Sequence, residues 1–105
     1  MTSDEVLEML KEAKLPLAYD HFPEGKAPKP PFLVYRYPSS ENFAADNICY
    51  ASFRNLDVEL YTEKKAPELE ARLEALLTAH ECFFEKSEVY IPSEKLYVLL
   101  YRMTV

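Results

Sequence analysis

Apolar residues recur with helical spacing in two parts of the chain and alternate in others. Near the start, Val6, Leu7, Met9, Leu10 and Ala13 fall on one helical face while Glu8, Lys11 and Glu12 fall on the other. Thr2 followed by Glu5 has the spacing of a capping box, in which each residue satisfies the other's backbone N–H. The pattern predicts an amphipathic helix over residues 3 to 14, ended by Pro16. Further on, "APELEARLEALLTAH" places Leu69, Leu73, Leu76, Leu77 and His80 at i, i+4, i+7, i+8 and i+11, with Pro67 suited to a first turn. This predicts a second helix over residues 66 to 80, whose leucines contribute about 1.5–3 kcal/mol each where fully buried.

The strands read from a period of two. Leu56, Val58 and Leu60 point one way and Asp57, Glu59 and Tyr61 the other, which predicts a half-buried strand over residues 49 to 61. "FLVYRY" predicts another at 32 to 37, and "CFFEKSEVYIPSEKLYVLLYRMTV" predicts two or three antiparallel strands broken at Pro92 and Ser93. The resulting order is α-β-β-α-β-β, an α+β fold in which an antiparallel sheet carries both helices on one face and residues 1 to 105 form one domain.

Two segments follow neither period. Residues 15 to 31 hold the sole glycine, Gly25, in a "PEGK" turn, and then Pro28, Pro30 and Pro31, which favour an extended polyproline path into the first strand. Residues 38 to 47, "PSSENFAADN", read as a long connection with an apolar Phe43 at its middle. The last strand is apolar on both faces: Leu96, Val98 and Leu100 on one, Tyr97, Leu99, Tyr101 and Met103 on the other. Such a strand is covered on both sides. With the helices on one side, the tyrosine face is expected to be covered by the proline-rich segment or by a partner chain.

Composition narrows the function classes. The 49% apolar fraction of 105 residues suits a packed domain, and the formal net charge of −6 argues against tight nucleic-acid binding, which needs a clustered Lys/Arg footprint. No apolar run has the length of a membrane span, so a cytosolic, membrane-free chain is expected, with Cys49 and Cys82 reduced. "HEC" at 80 to 82 lacks the paired spacing of a metal site, and the serines have neither a neighbouring base nor a glycine-rich elbow. No cofactor, metal or catalytic group is expected.

"FPEGKAPKPPFLVY", "NFAADNICY", "VELYTEKKAPELEARLEALL" and "EVYIPSEKLYVLLYRMTV" together resemble the tail terminator, or tail-completion, proteins of siphophages and prophages of Gram-positive bacteria. The resemblance runs from about residue 19 to the end. It implies a non-enzymatic virion protein, made in the host cytoplasm, that closes into a ring, typically a hexamer, on the head-proximal end of the tail tube. There it stops tube growth and meets the head-side neck proteins. On this reading Pro28, Pro30, Pro31, Phe43, Asp46, Asn47, Tyr97 and Tyr101 are the expected interface residues. The alternatives are a head-tail connector or head-closure protein, or a small α+β ligand-binding domain with its site between the tyrosine face and the proline-rich loop. The charge generates one prediction. The purified protein is expected to leave duplex DNA unretarded in a mobility-shift assay at physiological salt, and a salt-sensitive shift at micromolar protein contradicts it.

Overall fold

Thr2 and Glu5 close the capping box in both directions: the Thr2 N–H donates to Glu5 Oε1 at 2.9 Å and the Glu5 N–H to Thr2 Oγ1 at 3.1 Å. Helix α1 follows as Ser3–Lys11. It is shorter than the periodicity predicts, because the chain passes through Lys14 at φ 57° before Pro16. Helix α2, Pro67–Ala79, starts on its proline and stops where Glu81 takes φ 59°; the Cys82 N–H then reaches back to the Leu77 carbonyl at 2.9 Å. The computed structural model describes residues 1–45 and 48–105, and over 40–45 and 48–53 the backbone alone.

Six strands complete the α+β fold: β1 Leu17–Tyr19, β2 Phe32–Arg36, β3 Ser40–Ala45, β4 Ile48–Thr62, β5 Phe84–Ile91 and β6 Leu96–Thr104. The main sheet has the order β1-β2-β4-β6-β5, and β3 pairs with β4 beyond β2. Two expectations need correction. The sheet is mixed, since β1 runs parallel to β2, and the element order is α-β-β-β-β-α-β-β. Parallel neighbours require a crossover of about a dozen residues. The proline-rich segment between Tyr19 and Phe32 is that crossover. Strand β1 has three residues, too few for any period to register. Residues 38 to 47 are not a simple connection either: all but the first two of the described ones form β3, whose polar "SEN" start hides its strand character.

Register assigns the two faces. Leu33 lies opposite Leu60, and Leu60 opposite Leu99; Tyr35 lies opposite Val58, and Val58 opposite Tyr101; Leu56 lies opposite Met103. All of these but the half-buried Tyr35, which packs against them, form one buried cluster with Val6, Met9, Leu10 and Ala13 of the α1 segment and with Leu73 and Leu77 of α2. Both helices thus bury their apolar residues with the same sheet face. No helix among the described residues is long and apolar enough to cross a membrane. Leu77 and Leu99 have no solvent exposure. Truncating either to alanine is expected to cost about 2–5 kcal/mol in denaturant unfolding, whereas Lys11→Ala on the exposed face of α1 is expected to change stability by under about 0.5 kcal/mol.

Candidate functional site

The face carrying Tyr97 and Tyr101 is the face the helices cover. This corrects the expectation that it needs the proline-rich segment or a partner chain: Leu99, Tyr101 and Met103 are core residues. Tyr101 is fully buried, its ring edge-on to Phe84 at 5.2 Å and its hydroxyl donating to Glu74 Oε2 at 2.9 Å. Burial, reinforced by the adjacent carboxylate, pushes its pKa well up. Tyr101 therefore has no exposed surface to offer a partner. Tyr97, half-buried, lies at the end of the same face with its ring 4.8 Å from that of Tyr90.

Around Tyr101 an ion-pair network fastens α2 to β5. Lys86 Nζ lies 2.8 Å from Glu74 and 2.9 Å from Glu70, Lys65 Nζ lies 2.7 Å from Glu70, and Lys65 also pairs with Glu88. Glu70 is a buried carboxylate on an otherwise apolar stripe. Burial by itself raises its pKa, but hydrogen bonds from Lys65 and Lys86 and their charges outweigh it and hold the pKa below the usual carboxylate range.

The proline-rich crossover closes over the opposite, helix-free face. Phe22 packs edge-on to Phe32 at 5.1 Å, and Phe32 stacks on Tyr61 at 4.9 Å. Pro28 and Pro30 line a groove of about 730 Å³ together with Phe22, Phe32, Tyr61 and Leu96, whereas Pro31 is exposed. Since the tyrosine face and the proline-rich loop lie on opposite sides of the sheet, the ligand site expected between them does not form. Across this second face the chemistry changes in rows. Phe32, Tyr61, Val98 and Val89 form an apolar row at the groove end; Arg36, Asp57, Arg102 and Glu85 form a row of alternating charge toward the other end. Arg36 pairs with Glu59 at 3.0 Å and Arg102 with Asp57 at 3.4 Å. Tyr61 donates to Glu59 at 3.2 Å, and burial first, then that carboxylate, pushes its pKa up to about 12. It is a packing and hydrogen-bonding tyrosine.

Beyond the charged row, β4 leaves the sheet. The last link to β6's end is Arg54, whose backbone exchanges bonds with Val105 at 2.8 and 3.1 Å; further along, β4 pairs with β3 alone. A strand of 15 residues reaches about 50 Å at ~3.4 Å per residue, and the molecule measures 51 × 30 × 23 Å. The result is a two-stranded arm. Its base is clamped by the Arg54 guanidinium, which donates to Ser3 Oγ at 2.7 Å and to the Met1 carbonyl at 2.9 Å and lies 4.4 Å from the Tyr37 ring centre. Of the expected interface residues, Phe43 has its backbone in β3 and its side chain outside the description. Asp46 and Asn47 lie outside the described residues.

Residue pattern predicts β5 as a strand before the break at Pro92 and Ser93, but not its place in the sheet. It is an edge strand, and Val89 and Tyr90 are 59% and 46% exposed near one end of it. Its sequence "FEKSEVYI" carries Glu85, Lys86 and Glu88 and no charge in its last three residues. Among the described residues, no three His, Cys, Asp or Glu side chains cluster as a metal site needs. Cys82 is free and buried, and burial raises its thiol pKa.

The Glu70 network has a definite acid signature. A carboxylate whose pKa is depressed by folding contributes stability that is present above its unfolded pKa of about 4.3 and lost as pH falls through the folded value. Unfolding free energy is expected to drop as pH is lowered below about 5, and Glu70→Gln is expected to flatten that limb. An unchanged acid limb in the variant refutes this role. No family model matches the chain, and no curated protein sequence matches it.

Proposed function

We propose that the protein is a structural assembly subunit, a tail terminator that forms a ring on the head-proximal end of a phage tail tube, ends tube polymerisation and prepares the tube for joining to the head. The observation that carries this reading is the β3–β4 arm. A two-stranded ribbon is at best marginally stable alone in water. This one projects from a well-packed sheet, and its base is held by a buttress of hydrogen bonds and a cation–π contact through Arg54. Such an arm makes physical sense when another surface supports it. The segments behind the resemblance include the arm and the proline-rich crossover, and both belong to parts of the chain that the core does not explain.

The remaining features fit that role. The crossover, stiffened by prolines and packed through Phe22 on Phe32, loses little conformational entropy on meeting a partner. The net charge of −6 disfavours holding DNA that must slide through the ring. The ring, the tail-tube protein and the head-side neck protein are the partners of this proposal, with no enzymatic step.

The test is direct. Added to its polymerising tail-tube protein, the chain is expected to shorten tubes in proportion to its concentration and to decorate one tube end in negative-stain micrographs. Tubes of unchanged length and bare ends overturn the proposal. In virions, Phe43→Ser on the arm is expected to give over-long or headless tails while the isolated variant melts within a few degrees of the parent; normal tails on infectious particles remove the arm from the assembly surface.

A further inference from the structure

Besides the three-residue edge of β1, three open backbone edges lie on this molecule among the described residues. One is the outer side of β5; the other two flank the arm, along β3 and along the β4 residues that run on past Arg54. Natural sheets blunt such edges with charge, proline or bulges, because a bare edge pairs with any strand it meets. The β5 edge is blunted incompletely. Lys86 and Glu88 are drawn into ion pairs with Glu70, Glu74 and Lys65, so they do not stand free to repel an incoming strand. Past them the strand ends in Val89, Tyr90 and Ile91, the first two among the exposed large apolar residues of the described chain. The arm is also blunted only in part, by Glu41 and a bulge between Phe43 and Ala44 in β3, while "NFAA" at 42 to 45 and "ICYASF" at 48 to 53 carry no charge.

The arm's β3 edge is short enough to lie along β5. Strand β5 has eight residues and β3 six, which span about 27 and 20 Å at ~3.4 Å per residue. They cannot meet within one chain. β6 stands between β4 and β5, and the arm continues the line of β4 past the end of β6 instead of bending across it. An arm can therefore reach a β5 edge only in a second copy.

We propose that the occupant of the β5 edge is the β3–β4 arm of another copy of this chain, added as extra strands so that one sheet continues across the subunit boundary. This rests on the assembly reading above and names its subunit contact. The two surfaces are different patches of the same molecule, so the contact is head-to-tail, and head-to-tail contacts close into rings when the rotation per subunit permits. Backbone hydrogen bonds supply affinity, and the Val89–Tyr90 end supplies apolar burial.

Sedimentation velocity on the full chain and two variants tests the contact. Val89→Lys places a charge on the edge at an exposed position, and Phe43→Ser alters the arm. The parent is expected to sediment as a multi-subunit species, and each variant alone as a monomer with a melting temperature close to the parent's. Mixed together they are expected to form a one-to-one dimer, because one supplies an intact arm and the other an intact β5 edge. Tyr90→Lys, at the same edge, replaces Val89→Lys if that variant melts early. A monomeric parent, a Val89→Lys chain that assembles like the parent, or a mixture that stays monomeric each overturns the contact. The two proposals fail separately: head-to-tail assemblies that do not stop tube growth remove the terminator role, whereas Val89→Lys protein that still caps tubes in rings removes the contact.

Discussion

Strand β4 is the member on which everything else is hung. It pairs with β2 and then β3 along one side and with β6 along the other, and its Leu56, Val58 and Leu60 lie at zero exposure in the core. A continuous backbone ladder is stiff, because every pairing fixes the dihedrals of both strands, and its burial in one half of the strand anchors the other half. The half between β2 and β6 therefore acts as a root, and the half beyond Arg54 as a lever. Arg54 sits at the junction and ties it to the first turn of α1 and to the Tyr37 ring.

The core explains why the rest of the surface is free to specialise. One sheet face is sealed by α1 and α2 through an almost wholly apolar cluster, and the Lys65–Glu70–Lys86–Glu74 network locks the second helix to β5 at one place. Buried ion pairs set orientation more than they add stability. Here the network fixes where α2 lies, and in doing so it takes the charges of Lys86 and Glu88 away from the open edge of β5. One arrangement thus holds the helix down and leaves an apolar strand end accessible.

On the helix-free face the proline-rich crossover does what an extra layer does in larger domains. It covers the Phe32 end of the sheet with Phe22 and leaves a groove, while the other end keeps charge in cross-strand pairs. The parallel pairing of β1 and β2 demands a crossover of this length in any case. The concentration of prolines there reflects a connection that must be extended, ordered and packed without helix or ladder.

The residues by themselves determined the elements whose signal is local: both helices, the alternating half of β4, and the break at Pro92–Ser93 between β5 and β6, because periodicity and capping are properties of neighbouring positions. The apolar character of both faces of β6 was legible too. Only the tertiary structure decided which face meets the helices. It put Tyr101 in the core with Glu74 and sent the prolines to the other side, since the pattern of a strand covered on both faces is the same whichever way it is turned. It also decided that Leu17–Tyr19 is a strand and that β5 is an edge. A three-residue strand has no period, and an edge is defined by the absence of a neighbour, which no stretch of sequence carries within itself.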